Sequence, residues 1–255
     1  MLMARRNLMT SGWRNPYVTD GLVAMWDGEW NAGPGKHDPN ATVWKDLVGS
    51  NDLSIENRPY AYFVDNHLVV DDRNGIYNTR NPETLIRIKF NEMSDVLADY
   101  RATHESVLSY DYNGEGGNGF SFMFGGFCGS VLTVGAYGSN SSMNVCCMFN
   151  NSTYGIRYFY INNHGIGGFG KKVCMSCATS STNNDVHING VPVTQDATWS
   201  DSGTFRNELR FFQLEKKKAI SSLYNYRVYS RILTPEERAA NYAVDKARFN
   251  LPDAA

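Results

Sequence analysis

Short runs of apolar and polar residues alternate along most of this chain, broken by clusters of Gly, Asn, Ser and Asp. In TLIRIKF (84–90), Leu85, Arg87 and Lys89 fall on one side and Ile86, Ile88 and Phe90 on the other, the period of a strand. GLVAMWDGE (21–29) predicts an opening strand, and YAYFVDNHLVV (60–70) a hairpin with Asp65-Asn66 at its tip. Further strands are expected in SVLSYDY (106–112), FSFMFGGF (120–127), SVLTVGAY (130–137), NVCCMF (144–149) and GIRYFYI (155–161). In DVHINGVPV (185–193), Asn189-Gly190 suits the positive φ angles of a tight hairpin turn. NELRFFQLE (207–215) and SLYNYRVYSRIL (222–233) supply the last strands. Strands at this spacing, with turn signals between them, predict an all-β fold.

Two helical windows interrupt the pattern. Met93, Val96, Leu97 and Tyr100 recur at helical spacing. At the end of the chain Thr234 serves as N-cap, Pro235 as first helical residue and Glu237 as the partner in a capping box. This helix is expected to run to about Phe249, before Leu251-Pro252. The fold class is therefore an all-β, two-sheet antiparallel jelly-roll sandwich with a short C-terminal helix. Residues 1–19 precede the first strand and are expected to form an N-terminal arm that docks on a neighbouring subunit; residues 20–255 form one jelly-roll domain. The alternative for the arm is that Trp13 and Tyr17 fold back over an edge of the sandwich.

Composition narrows the function classes. A net charge of −2 offers no field for nucleic acid or an anionic membrane. No stretch approaches the roughly 18–20 apolar residues of a membrane span, and no apolar run follows the first arginines as in a secretory signal. Five cysteines, two of them adjacent (Cys146 and Cys147), make an awkward disulfide framework and suggest free thiols from a reducing compartment. Cys174 and Cys177 have the spacing of a zinc pair, but on a strand positions three apart face opposite ways, so small core residues are the better reading.

The chemistry of catalysis is sparse. A glycosidase needs two carboxylates flanking the bond. Asp27 and Glu29 are two apart, yet they precede a Gly/Pro loop, where acids are usually solvated. Asp111 and Glu115 are divided by a loop. Gly114 to Gly119 has the letters of a dinucleotide fingerprint but leads into a strand rather than a helix. The five histidines are scattered and no nucleophile elbow is present. Asp46, Asn51 and Asp52 offer oxygen ligands for calcium, though an Asx turn is the better account of them. No cofactor or metal is called for. Tyr154, Tyr158 and Tyr160 share a parity, with Asn162, Asn163 and His164 beyond them. Such a run suits either a sugar-stacking face or a packed central strand. Trp30, beside a loop, is a further exposed aromatic. The candidate ligand-binding residues are Trp30, Tyr158, Tyr160 and Asn163.

The order of these pieces resembles the laminin-G-like group of the concanavalin A-like lectin/glucanase superfamily. The resemblance is carried by Gly21-Leu22-Val23-Ala24 with Trp26, by Trp44, Asp46 and Gly49, by the late Asn189-Gly190 hairpin, and by Arg227, Tyr229, Arg231, Leu233 and Thr234 at the close. It extends over roughly residues 20–250, with blank stretches in the middle. The helical tail is similar to that of jelly-roll proteins from bacteriophages and gut bacteria. The resemblance implies pairing of first and last strands. It implies a non-catalytic binding or structural module, in a virion assembled in the host cytoplasm, with protein partners and a glycan or host-surface ligand. A bacterial cell-surface or extracellular lectin is the alternative. A glycoside hydrolase is a second alternative, weakened because the Glu-x-Asp-x-x-Glu run of the hydrolytic branches is missing.

Overall fold

The computed structural model describes residues 14–55, 61–71, 86–89, 102–112, 124–125, 130–136, 143–151, 155–161, 171–179, 184–193, 197–201, 208–211 and 219–253. The strands, in chain order, begin with β1 (Leu22–Asp27), β2 (Val43–Trp44), β3 (Leu53–Ser54), β4 (Ala61–Val64), β5 (His67–Asp71) and β6 (Ile86–Lys89). They continue with β7 (Ala102–Tyr112), β8 (Phe124–Gly125), β9 (Ser130–Ala136), β10 (Met143–Asn151), β11 (Gly155–Ile161) and β12 (Lys172–Thr179). The last are β13 (Asn184–Ile188), β14 (Val191–Val193), β15 (Ala197–Asp201), β16 (Glu208–Phe211) and β17 (Ala219–Tyr229), followed by the helix α1 (Pro235–Phe249). The architecture is the expected all-β antiparallel sandwich with a C-terminal helix. The window around Met93–Tyr100 and the Gly114–Gly119 loop lie outside the described residues.

The largest sheet runs β14-β13-β12-β7-β17-β5-β4, with β1 also on β17. A second sheet runs β15-β11-β10-β9, a third β6-β16-β8, and β2 pairs with β3. First and last strands do pair: Leu22 lies opposite Tyr229 and Asp27 opposite Asn225.

β17 organises the domain. β7 flanks it from Ala219 to Tyr229. On its other side β5 pairs with Ile220–Leu223, and β1 takes over from Asn225. The change of partner falls on a β-bulge between Leu223 and Asn225, which leaves Tyr224 as the extra residue. Its carbonyl accepts from the Gly28 N–H at 2.8 Å, and Asn225 Oδ1 accepts from the Val107 N–H at 2.9 Å. Gly28 is required here, because a Cβ would sit 2.3 Å from the Asn66 carbonyl oxygen.

The turns and caps follow the local chemistry. Asp65 has φ +50° at the β4–β5 tip, and Asn189 and Gly190 have φ +50° and +78°. Gly190 also lies close under Tyr242 of α1, whose Cδ1 would be 2.6 Å from an added Cβ. Both halves of the Thr234–Glu237 capping box are formed, and Asn250 ends the helix in the left-handed conformation.

The large sheet is buried on both faces. On one, Trp26 stacks on Tyr226 at 6.1 Å, His104 Nδ1 lies 2.8 Å from the Tyr226 hydroxyl, and Trp44 packs edge-on against Phe63. The other lies under α1, where Tyr224, Tyr242, Phe249, Leu251, Val107 and Cys174 cluster. The segment before β1 also packs here: Tyr17 is buried with Met25 and Leu47, and the Val18 N–H donates to Asn241. Tyr17 and Val18, at the end of the expected arm, therefore lie against the domain. Residues 1–13 lie outside the described residues.

Candidate functional site

Between α1 and the large sheet lies a continuous polar network. Arg227 of β17 reaches Asp245 of α1 through Nη1 at 3.0 Å and Nη2 at 2.6 Å, and Glu105 of β7 through Nη2 at 3.1 Å. Asn241 donates to Glu105 at 2.7 Å, and Asn225 to Asp245 at 2.8 Å. The Tyr17 hydroxyl donates to Asp245 at 2.7 Å, while the Arg227 guanidinium lies 3.8 Å from the centre of the Tyr17 ring. A buried charge is tolerated only when paired and hydrogen-bonded in this way.

From Tyr17 the network climbs to the surface. Arg248 Nη1 donates to the Tyr17 hydroxyl at 2.7 Å. Its fork clasps Asp27, Nη1 to Oδ2 at 2.7 Å and Nη2 to Oδ1 at 3.0 Å. Nη2 also donates to Glu29 at 2.7 Å, and the guanidinium lies 4.3 Å from the centre of the Trp30 ring. Side-chain exposure rises from 0% at Asp27 through 16% at Arg248 to 50% at Glu29. Trp30 is partly buried against the Tyr17–Met25–Leu47 cluster. Burial pushes the Asp27 and Glu105 carboxyls above the ordinary carboxylate range, against the pull of Arg248 and Arg227 respectively. Burial, reinforced by Asp245, raises the Tyr17 phenol as well.

The sequence candidates fall in different places. Trp30 stands at the outer end of this network. Tyr158 and Tyr160 belong to β11, an inner strand of the four-stranded sheet: Tyr158 pairs with Met148 and Trp199, and Tyr160 with Cys146 and Ala197. Asn163, Tyr154, Asn162 and His164 lie outside the described residues. Asp27, expected in a solvated turn, is instead sealed and clasped by Arg248, because the last residue of β1 faces α1 rather than the loop.

The remaining motifs resolve into local structure. Asp46 Oδ1 accepts from the Met25 and Val48 N–H groups, and Oδ2 from the Asn51 backbone and side-chain amides, all at 3.0–3.1 Å. This is the work of an Asx turn that fastens the β2–β3 segment to β1. Asp52 accepts from the Asp46 N–H and pairs with Lys45. Among the described residues no three of His, Cys, Asp and Glu come together to hold a metal ion. Cys174 and Cys177 are buried free thiols. Cys174 Sγ lies 3.7 Å from Asp245 under the helix, whereas Cys177 is paired with His104, whose ring meets Tyr226 on the far face, so the two diverge as expected. No helix among the described residues is long and apolar enough to cross a membrane.

The Arg227–Asp245–Glu105 network escaped the sequence reading. Arg227 and Asn225 alternate with apolar neighbours, the pattern of a solvated strand face. The signal that could have found it lies on α1, where Arg238, Asn241, Tyr242, Asp245 and Phe249 form the inward stripe. A helix whose helical-period stripe is largely polar must meet polar partners.

No known protein family matches the chain, and no curated protein matches it. Solved structures do. The binding domain of Paraclostridial Mosquitocidal Protein 1 superposes with a TM-score of 0.58 at 14% identity, over 90% of this chain and 53% of that one. A structure named HCR/D gives 0.59 at 10% identity, over 90% of this chain and 52% of that one. Trypanosoma rangeli sialidase in complex with sialic acid gives 0.53 at 14% identity, over 92% of this chain and 34% of that one. The likeness is one of fold. The chain spans about a third of the sialidase and about half of the two others.

Proposed function

We propose that this chain is a non-catalytic, lectin-like binding module of laminin-G-like type that takes a glycan at the Trp30 rim. The observation that carries the reading is the mounting of Trp30. Its ring is backed by Arg248, and Arg248 is held by both oxygens of Asp27 and by Tyr17. Beside this mounted aromatic, the half-exposed acceptor Glu29 offers a sugar a hydrogen-bond partner next to an apolar ring. The shared fold supports the same reading, since one of the similar chains is a binding domain by name and another was solved with sialic acid. Among the described residues, the buried carboxylates support the non-catalytic reading: Asp27 is clasped by Arg248, and Glu105 and Asp245 share Arg227 beneath the helix.

A glycan array probed with the full chain and with Trp30→Ala tests this. The expected result is a set of hits that weaken at least tenfold in Trp30→Ala. An empty array, or hits indifferent to Trp30, overturns it. The assembly that carries the module, a phage virion or a bacterial surface, is a separate part of the proposal, tested by mass spectrometry of purified particles.

A further inference from the structure

We propose that His37 is a second ligand-binding residue of the Trp30 rim, its Nε2 accepting a hydrogen bond from a sugar hydroxyl. This rests on the carbohydrate-binding reading and adds a contact to that site. Glu29 and Trp30 are the last two residues of a turn over 27–30, closed by the Trp30 N–H on the Asp27 carbonyl at 3.2 Å. The turn is braced from within and from β17: the Glu29 N–H donates to Asp27 Oδ1 at 3.0 Å, and the Gly28 N–H to the Tyr224 carbonyl at 2.8 Å. The His37 ring rests on this same turn, its Nδ1 3.0 Å from the Gly28 carbonyl oxygen. A carbonyl only accepts, so Nδ1 carries the hydrogen and donates it. In the neutral ring this makes Nε2 the acceptor, on a different edge of the imidazole from the fastened atom. His37 itself is exposed.

The loop that brings His37 back to the turn is closed by its own hydrogen bonds. Buried Asn31 pairs with the main chain of Asp38 in both directions, Nδ2 donating to the carbonyl at 2.7 Å and Oδ1 accepting from the N–H at 2.8 Å. The Asn31 carbonyl also accepts from the Lys45 N–H at 2.9 Å, which ties the loop to β2–β3. Within it, the Lys36 N–H donates to the Gly33 carbonyl at 2.9 Å, immediately before His37. A loop closed in this way has less freedom to lose when a ligand arrives. The turn thus carries an aromatic ring and a half-exposed carboxylate, and the loop sets an oriented imidazole on it. Sugar hydroxyls are donors, and the Glu29 carboxylate and His37 Nε2 are acceptors for two of them.

The test titrates the strongest array ligand into the full chain, His37→Asn and His37→Gln, each checked by its thermal melt. Asparagine keeps an amide N–H near the place of Nδ1, and so the tie to Gly28, but removes Nε2. Glutamine sets an amide oxygen near the place of Nε2 and gives up the tie. His37→Asn should melt as the parent does and bind roughly three- to tenfold more weakly, the loss of one hydrogen bond, and His37→Gln should bind more tightly than His37→Asn. The parent chain gives an independent reading by nitrogen NMR of its labelled histidines, with the His37 signals assigned by their loss in His37→Asn. The free ring should be the Nδ1–H tautomer, and saturating ligand should shift Nε2. If His37→Asn binds as the parent does, or if Nε2 is unmoved by a ligand that depends on Trp30, His37 only fastens the loop. The inference is then wrong while the carbohydrate reading stands. An Nε2–H tautomer in the free ring also overturns it. If no glycan binds, both fail.

Discussion

The two faces of the large sheet are built from the same strands and solve burial in opposite ways. Along β17, Tyr226 and Val228 point to the far face, where Trp26 and His104 meet them. Asn225, Arg227 and Tyr229 point under α1, where every one of them is hydrogen-bonded to Asp245, Glu105 or Asn241. The far face gains its stability chiefly from apolar area, which is non-directional. The helix face is directional: an Arg227 displaced by one residue would leave Asp245 and Glu105 buried and unpaired. The network therefore fixes where α1 docks, and through Arg248 it fixes Trp30.

The largest expected effect comes from breaking that network at its centre. Arg227→Ala should cost about 3–5 kcal/mol by urea denaturation, because it strands two buried carboxylates. Replacing Arg227, Glu105 and Asp245 together by apolar residues of similar volume should recover most of that loss. If Arg227→Ala alone is nearly neutral, the contrast between the faces fails.

The faces should also answer to pH with opposite signs. Burial lowers His104 on the far face from the ordinary 6.5 to about 4. Its share of stability is present above 6.5, and is lost as pH falls towards 4, since the unfolded chain binds the proton first. A depression of that size corresponds to about 3 kcal/mol. Asp27 and Glu105 are raised by burial, so their share is present at acid pH and is lost as pH rises through their folded values. His104→Gln should flatten the stability loss between pH 6.5 and 4, and an unchanged profile would remove His104 from the account.

Tyr17→Phe should cost about 1–3 kcal/mol, because its hydroxyl joins Asp245, Asn225 and Arg248 in a dry site. Thermal denaturation measures it, and a value near zero would mean that the segment before β1 is only lightly attached. Thr234→Ala should cost about 1 kcal/mol by the same measurement, the usual loss for an N-cap.

What the sequence revealed follows the same division. Turns and caps were legible because they depend on one or two residues: Asn189-Gly190 for its positive φ angles, Thr234 and Glu237 for the capping box. Apolar anchors such as Trp44 and Leu47 were legible from composition, and both are buried. The network was not, because alternating polar residues on a strand look the same whether water or a polar helix covers them. The burial of Asp27 is hidden for the same reason, and the place of Tyr17 stays open between two readings in the sequence because its partners lie more than 200 residues away. Trp30 was visible as an aromatic beside a loop, but the cation that mounts it is on the last turn of α1.

The most direct test of the binding account is calorimetric titration of the strongest array ligand into the parent chain, Trp30→Ala and the double variant Tyr158→Ala/Tyr160→Ala. The account predicts at least a tenfold loss of affinity in Trp30→Ala and a change of less than threefold in the double variant, provided that both variants melt as the parent does. Affinity lost in the tyrosine variant and retained in Trp30→Ala would contradict it and move the site to the four-stranded sheet.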